Sequence, residues 1–126
     1  MPKYANAAHT VLDPGHNFTA TATAAVNGGR FVKFGAAGRP GLPNVNHANA
    51  TSGAVGVAKY DAANTETVGV ITGGHVGVIA GGVVTSGAPV YVDANGKASA
   101  TVSGPRVGTA YTDGVLDGVV YIQLDL

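Results

Sequence analysis

Histidine is the residue type in this chain with the broadest capacity for chemistry, because an imidazole can bind a metal ion or move a proton near neutral pH. The four histidines are His9, His16, His47 and His75. None of them belongs to a His-Glu-x-x-His motif or to another close ligand spacing. The sequence therefore predicts no metal site and no cofactor. His75, at the start of a valine-rich strand, is predicted to lie at the surface or in an interface.

The aspartates fall mainly in turn sequences. Asp93-Ala94-Asn95, Asp113-Gly114 and Asp117-Gly118 are of this kind, and an aspartate in a turn accepts hydrogen bonds from nearby backbone amides. A carboxylate pair for glycoside hydrolysis forms in space, so the sequence leaves such a pair open. The turn role accounts for nearly all the aspartates and predicts that they are structural.

The glycine-rich and serine-containing segments lack the residue order that phosphate binding or nucleophilic catalysis needs. Segment 73–77 has neither the dinucleotide fingerprint nor a following helix. Asn95-Gly96-Lys97-Ala98 lacks the Walker arrangement of glycine, lysine and serine or threonine. No serine stands in a nucleophile elbow. The sequence therefore predicts that the protein is not an enzyme and has no catalytic residues.

Two stretches of the chain are nearly the same. Residues 55–61 read Val-Gly-Val-Ala-Lys-Tyr-Asp, and residues 107–113 read Val-Gly-Thr-Ala-Tyr-Thr-Asp. Each is followed by a short turn and an apolar run, and each is preceded by a similar strand that begins at Gly29 or Gly87. This pattern predicts a pseudo-repeated strand-turn-strand unit at 55–72 and 107–125, in a two-lobed barrel or sandwich.

Hydrophobic periodicity predicts strands almost everywhere else. Small apolar residues alternate with threonine from Phe18 to Val26, the period of two that marks a half-buried strand. Asn27-Gly28-Gly29 predicts a hairpin turn to a return strand at 30–34, and Asn95-Gly96 predicts a second hairpin. Residues 35–52 are predicted to be a long irregular loop. Further strands are predicted near 54–60, 66–72, 75–79, 88–93, 97–102, 106–112 and 119–125.

Length and composition place these strands in a small compact domain. The chain has 126 residues, 20 glycines, no cysteine and no tryptophan, so the core consists of small side chains and holds no disulfide. We predict an all-β barrel or sandwich with little helix, formed by residues 16–126, and an extended N-terminal arm formed by residues 1–15. The first residues do not resemble a secretory signal, and no apolar run reaches transmembrane length, so synthesis in a cytoplasm is expected.

The net charge is zero, but its sign is unevenly distributed along the chain. Five of the seven basic residues lie within the first 59 positions, and six of the seven acidic residues follow them. One interpretation is chance placement of solvated charges. The other is a polar molecule whose N-terminal part meets an acidic surface. In both cases the basic residues are too few and too scattered to indicate nucleic-acid binding.

The C-terminal two-thirds of the chain resembles the capsid decoration, or head cement, proteins of tailed phages. The resemblance is carried by residues 87–93, Asn95-Gly96-Lys97, Val107-Gly108-Thr109-Ala110 and the closing valine-rich strand. Pro14-Gly15-His16 and the strand after Gly29 are similar too, so the resemblance spans roughly residues 14–126. It implies a β-rich structural protein on the outside of an icosahedral phage capsid, commonly clustered as a trimer and clamping neighbouring capsid subunits.

From this resemblance we expect a virion protein on the capsid exterior whose partners are the major capsid protein and further copies of itself, with no nucleic acid and no membrane. Contacts with the shell are expected through residues 1–13 and 39–49. A β-sandwich that binds carbohydrate or another cell-surface ligand is the alternative, although the tyrosines show no platform spacing. The predicted partner-binding residues are Lys3, Tyr4, His9, Leu12, Arg39, Leu42, Asn44 and His47.

Overall fold

Alternating small apolar side chains fold this chain into short β-strands, and no helix occurs between residues 17 and 126, the part that the computed structural model describes. The strands are two to six residues long, and glycine or a polar turn separates most of them. Their bounds are β1 Asn17–Ala22, β2 Phe31–Phe34, β3 Asn44–His47, β4 Gly56–Ala58, β5 Thr67–Ile71, β6 His75–Ile79, β7 Pro89–Val92, β8 Ala98–Ser99, β9 Gly108–Ala110 and β10 Val119–Leu124. No helix of the described residues is therefore long enough to cross a membrane.

The strands form two five-stranded units. In the first unit, residues 17–72, the strands close into a barrel with the order β1-β3-β2-β4-β5. In the second unit, residues 73–126, the order is β6-β10-β9-β7-β8. One parallel bridge between Ala80 and Ala98 links the two ends of this second sheet. This bridge is the equivalent, in the second unit, of the parallel β1–β3 pair in the first unit.

The two units share the same pairing scheme, strand for strand. β6 to β10 pair with one another as β1 to β5 do, and individual backbone hydrogen bonds recur. Gly29 N donates to Ala58 O at 2.9 Å, and Gly87 N donates to Ala110 O at 2.7 Å. The isolated bridges Val26–Ala62 and Val84–Gly114 correspond in the same way. Equivalent positions are therefore 58 residues apart before each irregular loop and 52 residues apart from β4 and β9 onward.

The core lies in two clusters, and the larger one joins the units. The first cluster fills the first barrel with valine and alanine, including Val45, Val68 and Val70. The second cluster fills the second unit but also takes in Phe31 and Val57, which the first unit contributes from its β2 and β4. The two side chains are fully buried, so the units are packed together by the same hydrophobic effect that holds each of them.

The structure confirms the all-β fold class, and the Asn95-Gly96 hairpin joins β7 to β8 as predicted. The hairpin predicted at Asn27-Gly28-Gly29 is wrong, because β1 pairs with β3 and β5 and not with β2. There the backbone amide of Gly28 donates to the Asp61 carboxylate instead. Segment 35–52, predicted as one irregular loop, contains β3. The predicted arm, residues 1–15, lies outside the described residues.

Candidate interaction surface

The repeated glycine of the two similar stretches lies where two strands approach closely. Gly56 is at the start of β4 and Gly108 is at the start of β9. A Cβ atom added to Gly56 would lie 2.5 Å from the carbonyl oxygen of Ile71, and one added to Gly108 would meet the carbonyl oxygen of Gln123 even closer. Both distances are shorter than van der Waals contact. The glycines therefore serve strand packing.

The repeated aspartate has an equally structural role. Asp61 Oδ1 accepts a hydrogen bond from Gly28 N at 2.8 Å, and Asp113 Oδ1 accepts one from Ser86 N at 2.8 Å. In each unit the carboxylate ties the turn after the repeated stretch to the loop before β2 or β7. Asp93 accepts hydrogen bonds from backbone amides of its own turn. These acids have the bonding role that the sequence predicted, and in two cases the bond reaches a distant loop.

Histidine, aspartate and glutamate side chains do not gather into a metal-binding group of three anywhere between residues 17 and 126. His47 and His75 belong to different units. His75 is exposed and its ring lies 4.8 Å from the ring of Tyr111, centroid to centroid. Two parts of the surface of residues 17–126 differ from the rest, a hairpin and an apolar face.

The first part is the hairpin 35–43, which extends β2 and β3 beyond the barrel. Arg39 and Leu42 exchange two backbone hydrogen bonds, at 3.1 and 2.9 Å. Between them stand Pro40 and Gly41, and Gly41 has φ of 79°, the arrangement of a tight turn that needs glycine at its third position. At the base, Asn44 Nδ2 donates to Ala37 O at 3.2 Å. The hairpin is therefore an ordered projection whose residues 36–40 are all exposed.

A shallow groove of about 230 Å³ runs along this hairpin. Residues 34–38 line one side and Pro43 and Asn44 the other, and most of the lining is apolar. Phe34 is 56% exposed at its edge, and its ring lies 6.3 Å from that of Phe18. An exposed phenylalanine beside an apolar groove and an arginine is a composition that protein interfaces favour.

Three of the predicted partner-binding residues, Arg39, Leu42 and Asn44, fall in or next to this hairpin, and His47 lies at the other end of β3. Arg39 is exposed, while Leu42, Asn44 and His47 are half-buried. Their assignment to a partner stays a prediction. The other four, Lys3, Tyr4, His9 and Leu12, lie outside the described residues.

His47 has an intramolecular role. Its Nε2 accepts a hydrogen bond from Asn27 N at 2.9 Å, which requires that this nitrogen carry no proton. Partial burial, and secondarily the nearby Arg30 guanidinium, lower the pKa of His47 below its ordinary value. The neutral ring therefore holds the loop after β1 against β3.

The second part of the surface was not found from the sequence. On the outer side of the second unit, five large side chains are exposed around β10 and the turn before it. A signal was present: Val119 and Tyr121 occupy the face of β10 opposite to its buried residues, where a solvated strand carries polar side chains. The five are Tyr111, Val115, Leu116, Val119 and Tyr121.

Paired five-stranded units, a projecting hairpin and an apolar outer face thus describe this all-β protein. The profile of the family described as phage cement protein matches residues 12–121, and the chain belongs to that family. It is thus a capsid-associated structural protein of a phage. No curated protein matches the chain significantly.

A solved structure shares the fold. The crystal structure of the head fiber gp8.5 N base in bacteriophage phi29 is similar to this chain with a TM-score of 0.72. The similarity covers 86% of this chain and 92% of that chain, at 21% sequence identity. At that level of identity the likeness concerns the fold.

Proposed function

We propose that this protein binds the outer surface of an icosahedral phage capsid and stabilises it by cementing neighbouring capsid subunits, without enzymatic activity. Its partners are the major capsid protein and further copies of itself, clustered as a trimer on the shell. Membership of the phage cement family supports the capsid location, and the outer surface and the cementing role are our proposal. A chain made in the host cytoplasm would join the shell after assembly.

The observation that carries this proposal is the ordered hairpin 35–43 with the groove beside it. Binding to a rigid hairpin costs little conformational entropy, because its backbone is already fixed by the Arg39–Leu42 bridge and by the Asn44 side chain. Phe34 supplies an apolar anchor and Arg39 a charged one, the two residue classes that often carry interface energy. A capsid subunit bound here would be held by a few strong contacts.

Cementing then follows from mass action. A protein that binds the assembled shell but not its separated subunits shifts the equilibrium toward the shell, and the shift grows with the concentration of free protein relative to its Kd. One copy that contacts two neighbouring capsid subunits resists their separation. The two-unit architecture offers separate surfaces for the shell and for further copies, since the hairpin belongs to the first unit and the apolar outer face to the second.

Binding to undecorated shells tests the proposal. Purified protein is mixed with shells of the phage that encodes it, and bound copies are counted after sedimentation. The double variant Phe34→Ala/Arg39→Ala is expected to bind at least about tenfold more weakly, because it removes both anchors. Val102→Thr is the matched control, since Val102 is 74% exposed and belongs to neither surface. Unchanged binding by the double variant would contradict a role for the hairpin.

A further inference from the structure

The outer side of the second unit carries an apolar patch that the fold does not need. We call it the second-unit face and define it by Tyr111, Val115, Leu116, Val119 and Tyr121, which are between 46% and 64% exposed. The Tyr111 and Tyr121 rings lie 6.4 Å apart, and Val119 and Tyr121 both flank Gly77 on β6. Tyr111, Val119 and Tyr121 therefore lie side by side, and Val115 and Leu116 are exposed in the turn that leads into β10.

The first unit provides an internal comparison, because it has the same backbone pairing with different side chains. The positions equivalent to the second-unit face, 52 residues earlier, are Lys59, Ala63, Asn64, Thr67 and Gly69. The Lys59 side chain lies over Gly69 there, and the other positions are small or polar. Since the same scaffold forms with a polar outer face, the apolar residues of the second unit are not required for folding. An apolar patch without a folding role indicates an interaction surface.

The size of the second-unit face suits a protein partner. Five large side chains that are about half exposed present on the order of 500 Å². A standard protein interface buries about 800 Å² per partner, with an apolar centre and a polar rim. The second-unit face has the dimensions of such a centre, and aspartates stand on both sides of its turn, at positions 113 and 117.

The charges of the chain indicate what covers it. Between residues 17 and 72 there are four basic residues and two acidic ones, a net charge of +2. Between residues 73 and 126 there are two basic residues and four acidic ones, a net charge of −2. Two copies placed head to tail bring the acidic unit of one against the basic unit of the other, and opposite potentials favour that approach.

We propose that the second-unit face binds a second copy of this protein, through the basic first unit of that copy. The contact is heterologous, so repetition of the same contact closes a ring if the rotation between copies allows it. The proposal deepens the self-association within the proposed function and rests on that part alone. Attachment to the capsid can fail without affecting it.

The test grafts small or polar residues of the first unit onto the second. The variant Val115→Ala/Leu116→Asn/Val119→Thr takes, at each position, the residue that the first unit already carries on the same backbone. Wild-type protein is expected to self-associate with rising concentration in sedimentation velocity, and the graft variant to associate at least about tenfold more weakly. The thermal unfolding of both by circular dichroism checks the fold, and Val102→Thr is the control for loss of an exposed valine.

Ionic strength tests the head-to-tail arrangement. Association of the wild type is expected to weaken between about 50 and about 500 mM salt, because salt screens attraction between opposite charges. Association that strengthens with salt would overturn that arrangement. A monomeric wild type, or a folded graft variant that associates like the wild type, would overturn the proposal as a whole.

Two parallel measurements distinguish this proposal from capsid attachment and from glycan binding. Shell binding of the graft variant, measured beside its self-association, distinguishes failure of the copy–copy contact from failure of capsid attachment. A glycan array tests the other use of exposed tyrosines. The rings of Tyr111 and His75 are tilted by 45° and those of Tyr111 and Tyr121 by 42°, so they form no flat sugar platform. Glycan binding that Tyr121→Ala abolishes would assign the surface to a sugar and overturn the proposal.

Discussion

At the scale of single residues, the repeated stretches are explained by geometry. Gly56 and Gly108 allow a strand to approach a neighbouring carbonyl, and the buried alanines at 58 and 110 fit the narrow core. Asp61 and Asp113 bind the amides of distant loops. The sequence singled these residues out because they recur. The sequence did not predict which carbonyl each glycine approaches or which amide each aspartate binds, since those partners lie 15 to 33 residues away.

The two close-approach glycines give the first prediction. Gly56→Ala and Gly108→Ala should each lower the free energy of unfolding by about 3 kcal/mol, because the added methyl group overlaps a backbone carbonyl that other strand pairs hold in place. Urea unfolding of the two variants measures it. Gly82→Ala is the control, since a Cβ atom there meets nothing within 4 Å. Losses no larger than that of the control would show that the strands can separate at little cost.

The second prediction concerns pH. Because the folded state lowers the pKa of His47, the unfolded chain binds its proton more readily and is favoured in acid. The contribution of His47 to stability is complete above its ordinary pKa of about 6.5 and is lost as pH falls through the lower folded value.

The measurement compares the wild type with His47→Gln, which cannot titrate. The free energy of unfolding of the wild type should fall more steeply than that of the variant as pH drops from about 7 to about 5. All other residues are the same in both proteins, so their contribution cancels in the difference. Equal slopes would mean that protonation of His47 does not destabilise the folded state.

At the scale of elements, local patterns predicted strands better than they predicted pairings. The period of two placed most strands within two residues of their bounds, because alternation reports burial directly. The Asn27-Gly28-Gly29 turn suggested a hairpin, yet β1 is drawn to β5 and β3 by contacts 23 to 54 residues away. β3 was missed because three of its four residues are polar and only Val45 is buried. The hairpin 35–43 was likewise predicted as part of a loop, because the sequence does not reveal the backbone hydrogen bonds between Arg39 and Leu42.

The junction of the units supplies a prediction at this scale. Gly29 and Gly87 are equivalent and both have positive φ, 77° and 89°. A Cβ atom on Gly87 meets nothing within 4 Å, whereas one on Gly29 lies 3.2 Å from Ile79 of the second unit. Gly87→Ala should therefore cost about 1 kcal/mol from backbone strain, and Gly29→Ala about 2 kcal/mol. Thermal unfolding of the two variants measures the difference. Equal losses of stability would show that the Ile79 side chain moves away from residue 29 at little cost.

At the scale of the whole molecule, the two units have the same strand-pairing scheme but different outer surfaces. The shared pairing scheme keeps the backbone the same, while the first unit carries the hairpin and the net positive charge, and the second unit carries the apolar face and the net negative charge. The resemblance to head cement proteins was visible in the sequence, and the family is confirmed. The second-unit face was not predicted, although the alternation along β10 places Val119 and Tyr121 opposite its buried residues.

This division of surfaces makes a joint prediction for the two sets of variants. The Phe34→Ala/Arg39→Ala variant should lose shell binding and keep most of its self-association, because it retains the second-unit face and three of the four basic residues of the first unit. The graft variant of the second-unit face should lose self-association and bind shells as single copies, more weakly than the wild type for lack of avidity. Sedimentation velocity and shell binding on the same preparations measure both. If each variant lost both activities to the same degree, one surface would serve both partners.

The central claim is that the protein cements a capsid from outside, and titration of undecorated shells with the purified protein tests it most directly. We predict saturable binding at a fixed number of copies per shell, accompanied by a rise in the temperature at which the shells break open. Binding that never saturates, or saturated shells that open at the same temperature as bare ones, would contradict it.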